Sequence, residues 1–133
     1  MAQNGILALL HEIFAVLSGS SGSSTAMPAN ASGYEPLAAA GGVVLAAPGT
    51  LWSIYAIALT DGDLWLMTFD SAVVPAAGTP PLDVVQVPRV GSGQGGVFVP
   101  RVYGTGISWA ASTQAAALAV VPGAPLLVRA RFS

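Results

Sequence analysis

Ser108, four aspartates and the pair His11-Glu12 are the residues whose types and spacing could do chemistry. Ser108 lies in Gly106-Ile107-Ser108-Trp109-Ala110, close to the G-x-S-x-G nucleophile elbow but without its second glycine. A serine nucleophile needs a base within hydrogen-bond reach. The chain has one histidine, His11, far away in the N-terminal segment, so Ser108 reads as a strand residue. Asp61 and Asp63 stand two apart, as in a calcium loop. Calcium takes about six to eight oxygen ligands, and this stretch offers two carboxylates, which turn chemistry explains as well. Asp70 and Asp83 would have to meet in space to act as an acid/base pair, and nothing in their positions brings them together. His11 beside Glu12 reads as the polar side of an amphipathic helix. Gly91-Ser92-Gly93-Gln94-Gly95-Gly96 matches G-x-G-x-x-G, but the dinucleotide motif must lead into a helix. Val97-Phe98-Val99-Pro100 follows instead, so the glycines read as a hairpin loop. No catalytic residue, metal-ligand set or cofactor site is expected.

The elements that would position these residues divide the chain into three. Residues 1–18 read as an apolar helical arm. Ile6, Leu10, Ile13, Phe14 and Leu17 recur at steps of three and four, with Asn4 as the cap and Gly19 as the stop. A helix this short is marginal alone and must pack on something. Residues 19–36, rich in Ser, Gly and Ala, read as a flexible linker. Such a linker lets the arm reach a neighbouring chain, which is preferred over packing on its own domain. Residues 37–133 then read as an all-β domain. Short β-prone runs recur about every ten residues between Pro and Gly turns, the spacing of a sandwich or small barrel. The expected architecture is an antiparallel, jelly-roll-like β-sandwich of about seven or eight strands with an N-terminal helical arm.

The centre of that domain is expected to be a hairpin. Residues 50–60 and 63–70 flank Asp61-Gly62, a dipeptide that favours a type I′ turn. The implied register sets Ala58 opposite Trp65, Ala56 opposite Met67 and Ile54 opposite Phe69. Trp52, Ile54, Trp65, Met67 and Phe69 then share one apolar face, which reads as core. The opposite face is apolar too. A half-solvated hairpin alternates apolar and polar residues, so this one should be covered on both sides, by the core and by a second layer or a partner. The same aromatic residues, with Trp109, Tyr55 and Tyr103, leave a sugar-stacking platform as an alternative. Residues 89–96 read as a turn, and the strand after it, bearing Pro100, as an edge strand or one with a bulge.

Composition narrows the function classes. Only 8% of the 133 residues are charged, against roughly 25% in ordinary soluble domains. There is no lysine, and the cations are Arg89, Arg101, Arg129 and Arg131. A freely diffusing monomer with so few charges is poorly protected against association, so partners are expected to cover part of the surface. The net charge of −2 gives no footprint for nucleic acid. With no cysteine, disulfide and thiolate chemistry are excluded. Residues 5–17 are too short an apolar run to span a membrane, which takes about 20 residues. Ala29-Asn30-Ala31 looks like a cleavage site, but no positive charge precedes the apolar run and His11-Glu12 interrupts it. A secretory signal is therefore not expected.

Residues 42–110 resemble a known group. The order is Ala47-Pro48-Gly49-Thr50-Leu51-Trp52, a strand, Leu66-Met67-Thr68-Phe69-Asp70, Val74-Pro75, Gly78-Thr79-Pro80, Val84 to Pro88, Gly104-Thr105-Gly106-Ile107, and Ala111-Ser112-Thr113. This resembles small β-sandwich structural proteins of tailed-phage virions, of the capsid decoration, cement and head-fibre type. The resemblance covers about half of the chain, through turn and core residues. It implies a virion structural protein with no catalytic residues and no cofactor. The expected partners are further copies of the chain, as a homo-oligomer such as a trimer, and a major capsid protein. The expected location is the capsid surface, with the host cytoplasm during assembly. The alternative is a tail, fibre or baseplate module that binds glycan.

Overall fold

The computed structural model of the chain describes residues 26–91, 93–97 and 100–133. The arm residues Ile6, Leu10, Ile13, Phe14 and Leu17 lie outside the described residues. The described chain is all β: β1 (Ser32–Tyr34), β2 (Gly41–Leu45), β3 (Gly49–Ala58), β4 (Leu64–Asp70), β5 (Asp83–Val87), β6 (Gln94–Val97), β7 (Arg101–Tyr103), β8 (Ile107–Ser112) and β9 (Leu126–Phe132). Two antiparallel sheets form. The first runs β1-β9-β3, with β6 and β7 both on the far side of β3; the second runs β2-β8-β4-β5.

The sheets face each other across one core. Ile54, Ala56 and Ala58 of β3 and Leu126, Val128 and Ala130 of β9 meet Leu64 and Leu66 of β4 and Ile107, Trp109 and Ala111 of β8. Period-two alternation selects these residues, because every second side chain on a strand points to the same face. Leu51 breaks the period, being inward yet three residues from Ile54. The register of β3 against β9 shifts between Leu51 and Ser53. Trp52 is the extra residue of that bulge, and the bulge returns Leu51 to the core.

Residues 39–40 carry the chain from one sheet to the other. Ala39 exchanges backbone hydrogen bonds with Leu126 of β9 (2.9 and 3.2 Å), and the Ala40 carbonyl accepts from Ala111 of β8 at 2.8 Å. At the opposite border β6 lies against β5. A Cβ on Gly95 would collide with the Gln86 carbonyl and stand 3.2 Å from the Val87 Cα. Glycine is what lets the two sheets close there. Arg101 Nε, 2.8 Å from Asp83 Oδ2, adds an ion pair across the same border, and Nη2 donates to the Leu82 carbonyl at 3.1 Å.

The expected hairpin does not form. β3 pairs with β6, β7 and β9, whereas β4 pairs with β5 and β8. The segment around Asp61-Gly62 is a crossover between sheets. No non-glycine residue has positive φ among the described residues, and Gly62 is not among the glycines that do. A type I′ turn requires positive φ at both central residues, so that turn is absent. β3 finds its partner in β9 instead, paired from Leu51 to Ala58, and that pairing outweighs the local turn preference.

The shared face of Trp52, Ile54, Trp65, Met67 and Phe69 is corrected with it. Ile54 lies in the core between the sheets. Met67 and Phe69 are buried on the outer face of the second sheet, with Ala110 and Leu118. Trp52 and Trp65 are half-buried. The expected double covering holds for β4, and the chain itself supplies the second layer. Loops 71–82 and 113–121 fold over Met67 and Phe69 and bond to each other, Leu118 N to Thr79 O at 2.9 Å and Gly78 N to Leu118 O at 2.8 Å. β3 lacks such a cover, and Ile57 and Leu59 remain 38% and 47% exposed.

Two boundaries move. β1 falls inside the segment read as linker, because Ser32, Gly33 and Tyr34 pair with Phe132, Arg131 and Ala130. A run of three residues with Ser32 and Gly33 in it carries little strand signal, and β9 supplies the template. The turn read at 89–96 gives up its last residues to β6, whose Gln94, Gly95 and Gly96 pair with Ile57, Ala56 and Tyr55. The strand read as bearing Pro100 is divided there into β6 and β7, which both pair with β3 along one border.

Candidate functional site

Every chemically suggestive side chain that the fold places outside the Asp61-Gly62 segment is either enclosed or engaged in structure. Ser108 is fully buried near the start of β8, and its Oγ has no hydrogen-bond partner. β2 and β4 flank it, through Val43 and Phe69. No base approaches it among the described residues, and His11 lies outside them. A buried hydroxyl between apolar strands cannot be turned into a nucleophile by this surrounding.

Asp70 and Asp83 are not brought together as an acid/base pair. Asp70 ends β4 and receives the backbone N–H groups of the turn before β8: Thr105 at 2.7 Å, Gly104 at 3.1 Å and Gly106 at 3.3 Å. The Thr105 bond first and the Gly104 bond second hold its carboxyl below the usual value of 3.8, against a smaller opposing effect of desolvation. Gly106 is required for this turn, since a Cβ there would meet the Ala72 Cα at 2.7 Å. Asp83 pairs with Arg101. Asp63 accepts from the Arg89 N–H at 2.9 Å, while Asp61 is exposed in the crossover. Among the described residues no group of three or more His, Cys, Asp or Glu side chains could hold a metal ion.

The glycine run is likewise structural. Gly91 and Gly93 take φ of 79° and 129°, a backbone that L side chains rarely adopt. The chain then enters β6, so no helix N-terminus faces a phosphate. Of the aromatic residues, Trp109 and Tyr103 are fully buried. The Trp109 indole donates to Tyr34 OH at 3.0 Å. Tyr103 OH donates to Thr68 Oγ1 at 2.7 Å inside the core, and burial pushes its phenol above the usual 10.0. Trp52 Nε1 donates to Ser133 Oγ at 2.8 Å. No flat platform of exposed indoles results.

Two clefts open on the outer side of the second sheet. One, of about 270 Å³, lies between Phe69, Asp70, Ser71 and the prolines 75, 80 and 81. Its polar groups are spent on its own walls: Asp70 on the turn at 104–106, Ser71 Oγ on the Val73 carbonyl, Thr79 Oγ1 on the Ala76 carbonyl. The other, of about 240 Å³, has a floor of Ala40, Gly41, Ala110 and Ala111 and walls that include Val74 and Val120. It is apolar and shaped for a hydrocarbon side chain rather than for catalysis. Its walls were not among the candidate site residues singled out from the sequence. The doublet Val73-Val74 and the apolar Leu118–Val121 were the available signals.

Loop 113–121 is itself anchored by Ser112, which the sequence offered only within Ala111-Ser112-Thr113. Ser112 Oγ donates to the Gln114 carbonyl at 2.7 Å and accepts from the N–H groups of Gln114 at 3.1 Å and Ala119 at 2.9 Å.

The chain matches no protein-family model, no curated protein and no solved structure. No helix among the described residues is long and apolar enough to cross a membrane.

Proposed function

We propose that this chain is a virion structural protein, a capsid decoration or cement protein that binds and stabilises the shell of a tailed phage through its β-domain and N-terminal arm. The observation that carries the reading is the strand order. With β6 and β7 counted as one interrupted strand, the sheets run first-eighth-third-sixth and second-seventh-fourth-fifth. This is the order of a jelly roll, a fold used by viral capsid proteins, lectins and cupins. Fold alone does not decide among them. A cupin-type site has no metal-ligand group among the described residues. A lectin platform would use exposed aromatic rings, whereas Trp109 is buried and Trp52 and Trp65 are half-buried. That also leaves the tail, fibre or baseplate reading with less support than the shell.

In this reading the chain acts by contact. Its partners are further copies of itself, as a trimer, and a major capsid protein. Its place is the capsid surface, after assembly in the host cytoplasm. The apolar arm adds burial at about 25 cal/mol per Å², and many copies on one shell add avidity. Two measurements test this. Deleting residues 1–18 should release the protein from particles while the β-domain stays folded, and full occupancy by the truncated form would refute the arm's role. Quantitative mass spectrometry of particles should find hundreds of copies. A handful would move the protein to the tail or fibre, and none would remove it from the virion.

A further inference from the structure

We propose that Asp61 is a site of spontaneous backbone modification, closing to a succinimide and reopening to isoaspartate in the folded protein. The inference is independent of the virion reading. Its basis is the strongest turn signal of the sequence, which the fold does not use as a turn. Asp61 and Gly62 lie exposed in the crossover between β3 and β4, outside both ladders. The Asp61 carboxylate has no hydrogen bond or ion pair among the described residues. Nothing stands within 4 Å of where a Gly62 Cβ would be, so the space beside the reacting groups is open.

The reaction balances without a co-reactant. The Gly62 backbone nitrogen attacks the Asp61 side-chain carboxyl carbon. A C–N bond forms, a C–O bond breaks, and the oxygen leaves as water with the amide proton. Water then adds to the ring. Opening at the main-chain carbonyl leaves the peptide linked through the side chain, with a free α-carboxylate and the original mass.

The other aspartates are protected by what they hold. Asp63 accepts the Arg89 N–H and precedes the buried Leu64. Asp70 accepts three N–H groups, and Asp83 is paired with Arg101 within β5. The crossover is fastened on both sides of Asp61-Gly62, by Val90 N to Thr60 O at 3.0 Å and by Arg89 N to Asp63 Oδ1 at 2.9 Å. Isoaspartate inserts a backbone methylene between these two fastenings and so should loosen both.

The purified full chain is aged at mildly acidic and neutral pH. It is then digested with an endoprotease that cleaves before aspartate but not before isoaspartate. Mass spectrometry follows the intermediate lighter by one water, and S-adenosylmethionine with an isoaspartyl methyltransferase counts the product. Isoaspartate should form at position 61 within about tenfold of its rate in a synthetic peptide of residues 57–66, because an exposed loop opens at little cost. Slower formation than that, or equal formation at Asp63, Asp70 or Asp83, overturns the proposal. Gly62 has neither a left-handed backbone nor a crowded side, so Gly62→Ala should fold. It should lose most of the modification, and an undiminished rate in it would refute the route. In aged protein the Arg89 and Val90 amides should exchange with solvent faster, and unchanged exchange would refute the loosening.

Discussion

Asp70 and Tyr103 show how single polar side chains are used in this molecule. Asp70 closes the turn before β8 by accepting three backbone N–H groups. Its carboxyl is held below 3.8, so the folded state keeps it ionised where the unfolded chain would bind a proton. The stability it adds is therefore present above pH 3.8 and lost as pH falls through the lowered value. Asp70→Asn should lower the melting temperature at neutral pH, and the gap to the parent should narrow in melts below pH 3.8. Tyr103 behaves in the opposite sense. Burial raises its phenol above 10.0, so the unfolded chain loses that proton first as the solution turns alkaline. Stability should fall above pH 10 with a slope approaching about 1.4 kcal/mol per pH unit. The chain has no lysine, so few other groups titrate there. Tyr103→Phe should remove that slope in denaturant titrations. At neutral pH it should cost about 1–2 kcal/mol, because Thr68 Oγ1 loses its donor inside the core.

Among the elements, β4 is covered on both of its faces. Its inner face, Leu64 and Leu66, lies in the core between the sheets, and its outer face, Met67 and Phe69, lies under loops 71–82 and 113–121. Both faces were legible as apolar, because LWLMTFD has almost no polar alternation. Which neighbour covered the outer face was not legible, since loop 71–82 is rich in Pro and Ala, loop 113–121 is rich in Ala, and neither shows a strand or helix period. Leu118 is the apolar residue that loop 113–121 buries there. Leu118→Ala should cost about 2–4 kcal/mol by chemical denaturation, the range for a buried leucine. It should also speed hydrogen exchange in loops 71–82 and 113–121 before it affects β9. β3 has no such cover, and its Ile57 is left partly open on the outer side. β3 and β4 did not share one apolar face because they lie in different sheets, and the bulge at Trp52 takes that residue off the face of Ile54. A single extra residue moves every side chain before it to the other side of the strand.

At the scale of the molecule, the two ends of the described chain are joined. β1 pairs with β9 from Ser32 with Phe132 to Tyr34 with Ala130, and β9 in turn pairs with β3. Without β9 the first sheet loses its central strand, so a chain lacking residues 126–133 should give no cooperative unfolding transition by calorimetry. Closing such distant pairs costs loop entropy before any contact offsets it. The intact domain should therefore refold on the millisecond-to-second scale seen for β-sandwiches.

What the residues determined by themselves was local. Period-two alternation and Pro and Gly punctuation sufficed for an all-β chain and for the positions of β3 and β4. Tertiary structure alone decided who pairs with whom. Asp61-Gly62 is a turn signal worth only a few local interactions, whereas β3 against β9 joins seven residue pairs and buries Ile54, Ala56 and Ala58 behind them. The larger, non-local term prevailed. The same term turned Ser32-Gly33-Tyr34 into a strand and gave Asp70 three backbone donors from 34 to 36 residues away. It also left Asp61 without a partner in the open crossover.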